Sequence, residues 1–327
     1  MKQEKIKDLE KIINNDYSNI TGIVIQKSGI KYYENYFNGY TADNAVHVYS
    51  VTKSVFSILI GIAIDKGHIK SVDQKVLDFF PDYIVKTGER TIQDITIKNL
   101  LTMTAPYKYK TEPYEKFFAS QNPIQDALDL LGGDSSVGEF NYSAVGGTHI
   151  LSGILVRAIG CSILDFATKN LFSPLGINVP HNVELRSKEE HLAVMNDKNT
   201  SGWAVDPQGI NTASWGLFLT PLEMAKIGQL YLKGGVWNNK QIVSAGWISE
   251  GTREHSRCVQ WGNLAYGYLW WLIDKDSYAA MGDGGNVIYV NTKKQMVISI
   301  ASLFMPEAKD RIEFIKAYIE PMFENHL

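Results

Sequence analysis

The sequence predicts an α+β fold: an antiparallel sheet drawn from both ends of the chain, flanked by helices, with a helical domain inserted between. Three observations predict it. β-rich segments cluster near the two ends, and the stretch between them reads as helices separated by polar and Gly/Pro-rich runs. One helix near residue 55 is apolar nearly all round, as in the buried core of a sizeable protein. The length of 327 residues suits about two domains. Residues 1–70 with 251–327 form the expected sheet domain and 71–250 the mostly helical insertion, with an active-site cleft between them.

The elements follow in order. Ile6, Leu9, Ile12 and Ile13 fall on one face at helical spacing. Residues 21–26 and 31–37 are β-rich around the turn signal Lys27-Ser28-Gly29. The run 50–66 is the strongest helix, with Gly67 as its C-terminal stop. Helices are expected at 97–103, 124–131, 145–159, 163–171, 221–233 and 244–250. The stretches 105–123 and 178–214 read as long loops, which in compact domains are usually functional or mobile. Strands return at 266–273, 278–281, 287–290 and 296–303, and an amphipathic helix at 310–323 closes the chain.

Composition excludes several classes of function. Lys+Arg number 32 against 35 Asp+Glu, a net charge of −3, so no basic excess points to nucleic acid or anionic lipid. Hydrophobic residues at 45% with no run of 18 apolar residues predict no membrane span. Two cysteines, Cys161 and Cys258, form neither a disulfide scaffold nor a zinc ribbon. The charged start Met1-Lys2-Gln3-Glu4-Lys5 is not a secretory leader, so a cytoplasmic location is expected. No metal or cofactor is expected, and the sequence sets no oligomeric state.

Common catalytic signatures are absent: there is no G-x-S-x-G, H-E-x-x-H or Walker loop, and the seven histidines are scattered. Two S-x-x-K tetrads do occur, where composition alone yields about one. Ser28-Gly29-Ile30-Lys31 lies in the hairpin turn, where nothing buries the lysine. Ser50-Val51-Thr52-Lys53 opens the buried helix, where positions i and i+3 share a face. There burial and the helix N-terminus both lower the lysine pKa, making Lys53 a neutral base that activates Ser50. The bland alternative is an N-capping serine and a first-turn surface lysine.

Two further features stand in order along the chain. Tyr142-Ser143-Ala144 precedes the helix at 145–159, and Tyr142 would relay a proton if Lys53 lowered its pKa. Gly282-Asp283-Gly284-Gly285-Asn286 joins two strands, and its glycines would let a substrate approach an edge. Alone, the first is one of 17 tyrosines and the second an ordinary hairpin turn.

Taken together, these features make the chain resemble the serine β-lactamase and DD-peptidase superfamily over nearly its whole length. It is most similar to the branch of class C β-lactamases, esterases of that fold and 6-aminohexanoate-dimer hydrolases. Ser50-Val51-Thr52-Lys53 resembles the family S-x-x-K, and Tyr142-Ser143-Ala144 its Tyr-x-Asn. Gly284-Gly285-Asn286 resembles the tail of its Lys/His-Thr/Gly-Gly strand motif. Residues 97–104 and 216–225 resemble two further family segments, I-x-x-L-L-x-H-x-S and G-L-x-S-T-x-x-D-L-A.

The resemblance implies a β-lactamase/transpeptidase-like fold with Ser50 as nucleophile, Lys53 as base and Tyr142 as proton relay. It implies an oxyanion held by the N–H groups of Ser50 and Asn286, with Gly285, Asp283 and Ala144 at the substrate. Two departures matter. Ala144 replaces the usual Asn, and Asp283 (or Gly282, with a one-residue slip) replaces the usual cation. An aspartate there repels the carboxylate that β-lactams and D-Ala-D-Ala peptides present. A small ester or amide substrate is therefore expected. The alternatives are a β-lactamase, a DD-peptidase-like penicillin-binding protein, or a catalytically poor binding relative.

Aromatic residues give a further expectation. All seven tryptophans lie between Trp203 and Trp271, with Trp270-Trp271 placed in a strand. Tyr107, Tyr109, Tyr114, Phe117 and Phe118 crowd one loop. An aromatic-walled pocket for an apolar acyl or aryl group would use them; ordinary core packing would too.

Overall fold

Alternation along Ile20–Lys27 (β1) sets the two faces of the sheet. The computed structural model describes residues 3–185, 188–195 and 197–324. Ile23 and Ile25 of β1 join one buried cluster while Val24, between them, joins the other. Ser28 and Gly29, both at positive φ (50° and 78°), turn the chain into Ile30–Tyr36 (β2). Two left-handed residues give the hairpin the twist of its strands.

The remaining strands come from the other end of the chain: Ser256–Cys258 (β3), Leu264–Tyr266 (β4), Trp271–Asp274 (β5), Ser277–Gly282 (β6), Asn286–Asn291 (β7) and Met296–Ser302 (β8). All neighbours pair antiparallel in the order β2-β1-β8-β7-β6-β5-β4-β3. The first strand thus sits beside the last, with Ile23 opposite Ile300 and Ile25 opposite Ile298.

One face is covered by the two chain ends. The helix Gln3–Asp16 (α1) buries Leu9 and Ile13 there, beside Phe314, Ile315 and Ile319. The closing helix is not one regular α-helix. Asp310 caps Arg311–Phe314 through the N–H groups of Ile312 and Glu313, and a π-turn follows at Ile315–Ile319.

The opposite face receives Val51–Asp65 (α2), buried from Val51 to Ala63, and Pro221–Leu232 (α4). A Cβ on Gly228 of α4 would lie 2.5 Å from Val297 and 2.9 Å from Ile288, so the helix seats directly on β7 and β8. Although it falls within 71–250, α4 is therefore a layer of the sheet. The helix Gly146–Ile159 (α3) packs against α2 on the other side of the cleft. Among the described residues no single helix is long and apolar enough to cross a membrane.

Two stretches differ from the sequence expectation. The run 266–273 is not one strand, because Gly267 donates to the Trp270 carbonyl at 2.9 Å and closes a turn between β4 and β5. Tertiary contacts impose it: Leu269 donates to Leu101 O at 2.9 Å and its own carbonyl accepts from Ser54 Oγ at 2.6 Å. Trp270 therefore belongs to that turn, while Trp271 begins β5. The long loops also carry short elements: Tyr114–Ala119 and Lys188–Met195 are helical, and Asn182–Glu184 pairs with Trp203–Val205.

Candidate active site

Four segments meet at the start of α2. Val46–His47 pairs with Phe218–Leu219, which draws residues 214–217 against Ser50. Tyr49 has φ 48°, a left-handed conformation uncommon for a bulky residue, and it turns the chain abruptly into the helix. Ser50 then stands at the N-cap but makes no side-chain cap bond, so its hydroxyl is left for other partners.

Lys53 is one turn along and only 2% exposed. Its Nζ donates to Ser50 Oγ at 2.9 Å, to Ala144 O at 2.7 Å and to Ser214 O at 2.9 Å. Burial pulls its pKa down to about 8, against the opposing pull of the Glu112 and Asp283 carboxylates. At neutral pH about a tenth of the molecules then carry an uncharged amine. The bland alternative for this tetrad fails on burial: Lys53 is not a surface lysine.

Tyr142 lines the same cleft as Ser50, and its ring centroid lies 5.6 Å from Lys53 Nζ. Its pKa is raised rather than lowered, because desolvation outweighs the lowering influence of Ser50, and the Asp283 and Glu112 carboxylates also raise it. The sequence expectation of a lysine-lowered phenol is thus corrected: Tyr142 rests as a neutral phenol.

The strand side is also corrected. A Cβ on Gly282 would lie 2.3 Å from Val48 O and 3.1 Å from Ser50 N, so the end of β6 lies against the Ser50 turn. Asp283 is exposed at the mouth of the cleft. Gly285 and Asn286 do not line the cleft. Asn286 is buried in β7, with its side chain donating to Asp283 O and Ser302 O and accepting from Ser302 N. Its place on the sheet side of the turn removes it as the second oxyanion donor. Replacing Gly282 by Ala is expected to cost about a hundredfold in kcat/KM, since the turn must move for a methyl to enter. Steady-state kinetics with an unchanged circular dichroism spectrum would check this.

The cleft itself has a volume of about 810 Å³. Tyr142, Trp261 and Trp271 form one wall, with ring centroids 5.0 to 5.9 Å apart. Tyr49 and Phe304 form another, 5.8 Å apart. Of the loop aromatics, Tyr109, Tyr114 and Phe118 line the cleft, whereas Tyr107 is buried behind Tyr109. Among the tryptophans, Trp215, Trp261 and Trp271 line it, while Trp203 and Trp270 are fully buried core. A neighbouring chamber of about 700 Å³ shares Phe118, His191 and Trp215 with the cleft. The buried pair His149 Nε2···Asp206 Oδ2, 3.0 Å, lines that chamber and not the cleft.

Three contributors lie outside the sequence motifs. Ser214 supplies a carbonyl to Lys53. His47, held neutral by burial with its pKa near 3, accepts from Gly216 N at 2.9 Å and steadies that segment. Glu112 accepts four hydrogen bonds from residues 143–146. No local pattern marks any of them, because each acts through tertiary contact.

Comparison with known proteins identifies the family and the fold. The Beta-lactamase family model covers residues 19–317, so the chain belongs to that family. A 6-aminohexanoate-dimer hydrolase from Paenarthrobacter ureafaciens is 22% identical over 287 residues, 81% of this chain and 68% of that protein. A penicillin-binding protein homologue from Caulobacter crescentus superposes with a TM-score of 0.71 at 15% identity, covering 92% of this chain and 91% of that one. A family VIII carboxylesterase gives a TM-score of 0.70 at 17% identity, covering 96% of both. The α+β, β-lactamase-like fold expected from the sequence is the fold observed.

Proposed function

We propose that this member of the Beta-lactamase family is a serine hydrolase that cleaves a small ester or amide through an acyl-enzyme on Ser50. The observation that carries the reading is the buried Lys53 amine, 2.9 Å from Ser50 Oγ, with the Tyr142 ring centroid 5.6 Å from the same amine. Similarity to a dimer hydrolase and a carboxylesterase supports the same reaction class.

Ser50 Oγ attacks the substrate carbonyl carbon as its proton passes to neutral Lys53, directly or through Tyr142. The oxyanion is held by the Ser50 N–H at the start of α2 and by an N–H from the Gly282–Asp283 end of β6. The tetrahedral intermediate collapses, its C–O or C–N bond breaks, and the departing oxygen or nitrogen takes the proton back. Water then attacks the Ser50 ester under the same base, releasing the acid and restoring Ser50.

Substrate preference follows from charge. Asp283 and Glu112 line the cleft, and Lys53 spends its donors on three protein acceptors. A substrate carboxylate therefore meets repulsion at the mouth, which disfavours β-lactams and D-Ala-D-Ala peptides. A fluorescent fluorophosphonate and a fluorescent penicillin test this side by side. Labelling by the fluorophosphonate, at least tenfold faster than by penicillin, is expected. Equal labelling by both would instead assign a penicillin-recognising protein, and labelling by neither a binding protein.

A further inference from the structure

Glu112 belongs to no motif and sits just before the short helix Tyr114–Ala119. Its Oε1 accepts from Ser143 Oγ at 2.8 Å, Val145 N at 3.0 Å and Gly146 N at 2.7 Å, and its Oε2 from Ala144 N at 2.6 Å. The three backbone donors lead into α3, where N–H groups lack intrahelical acceptors and a negative charge is favoured. Ser143 Oγ in turn accepts from Gly147 N at 2.8 Å. The consequence for the site lies in Ala144: Glu112 holds its N–H, and Lys53 Nζ holds its carbonyl at 2.7 Å. Tyr142, which lines the cleft with Ser50, directly precedes this clamped turn.

We propose that Glu112 is a positioning residue for the Ser50 reaction: its carboxylate clamps the turn from Ser143 to Gly146, keeping the Ala144 carbonyl on Lys53 and Tyr142 in the cleft with Ser50. The proposal rests on the reading of Lys53 as the base. Glu112 also acts on Lys53 through space. The charged or titratable groups facing that amine are Glu112 from its loop, Asp283 from the turn after β6, and Tyr142 ahead of α3. Both carboxylates favour the protonated amine.

Glu112→Gln and Glu112→Asp, assayed with p-nitrophenyl butyrate across pH beside Ser50→Ala, test the proposal. Glutamine removes the charge and turns an NH₂ toward a donor whichever way the amide faces, because both carboxylate oxygens are occupied. Expected for Glu112→Gln is a fall in kcat of about 10- to 100-fold with KM changed less than threefold. Its acid limb should move to lower pH by about half a unit to one unit, since losing an anion lowers the Lys53 pKa. Glu112→Asp keeps the charge but is one methylene short, so its acid limb should stay in place while kcat falls about tenfold. Wild-type kcat with an unmoved acid limb in Glu112→Gln, or wild-type kcat in Glu112→Asp if the first variant does not fold, overturns the clamp. An active Ser50→Ala would overturn the hydrolase reading instead, so the two failures are told apart.

Discussion

Ser50→Ala is expected to lower kcat on a p-nitrophenyl ester by about a thousandfold or more while the protein stays folded. The loss is large because among the described residues no other hydroxyl bonds Lys53 Nζ; its two remaining acceptors there are the carbonyls of Ala144 and Ser214. The fold survives because Ser50 makes no side-chain cap bond to α2, so alanine removes no helix cap. Those two carbonyls still satisfy the Lys53 amine in the variant. Initial rates and a urea midpoint on the same preparation would check both halves of the statement.

The second large effect concerns Lys53. Lys53→Ala removes the proposed base and is expected to cost about a hundredfold to ten-thousandfold in kcat. Lys53→Arg is expected to be no better, because a guanidinium stays protonated throughout the working range. On the proposed mechanism the active form carries a neutral amine, so kcat/KM should rise with pH through about 8 and level off above it. The sign follows from burial: desolvation penalises the ammonium, so the proton leaves at lower pH than from a lysine in water. A rate that falls as pH rises from 7 to 9, on a stable substrate, would assign Lys53 a protonated role. Tyr142 contributes no limb below that range, since its phenol is raised by burial.

Much of this site was legible in the sequence because its central pair is local. Ser50 and Lys53 are one helical turn apart, and the apolar residues on both sides of α2 imply that the turn is buried. The sheet was legible for a similar reason, since short β-rich runs at 21–26, 287–290 and 296–303 are bounded by turn residues. The strand contact was misplaced because the paired glycines Gly284-Gly285 drew the motif toward Asn286. Those glycines have positive φ (75° and 87°) and make the turn, whereas Gly282 is extended and is glycine for want of space. Spacing alone does not distinguish a glycine required by φ from one required by a close neighbour.

The remainder depends on contacts between distant segments. Glu112 reaches the 143–146 turn from a loop whose aromatic residues were its only visible feature. Ser214 acts through its backbone carbonyl and His47 through its ring nitrogen on the Gly216 N–H, contacts between distant segments that no local pattern announces. The turn at Leu269 replaces a strand because Leu101 and Ser54 capture its backbone, a tertiary demand that overrides β-propensity. The tryptophans divide for the same reason: Trp270, adjacent to cleft-lining Trp271, falls in that turn and packs into the core.

The most direct measurement is the intact mass of the protein quenched in acid within seconds of mixing with a p-nitrophenyl ester, followed by peptide mapping. A single added acyl group on the peptide holding Ser50, absent from Ser50→Ala and lost with time as acid is released, is the predicted result. Turnover of the ester with no acyl group on Ser50 at any time, or with the group on another residue, would contradict it.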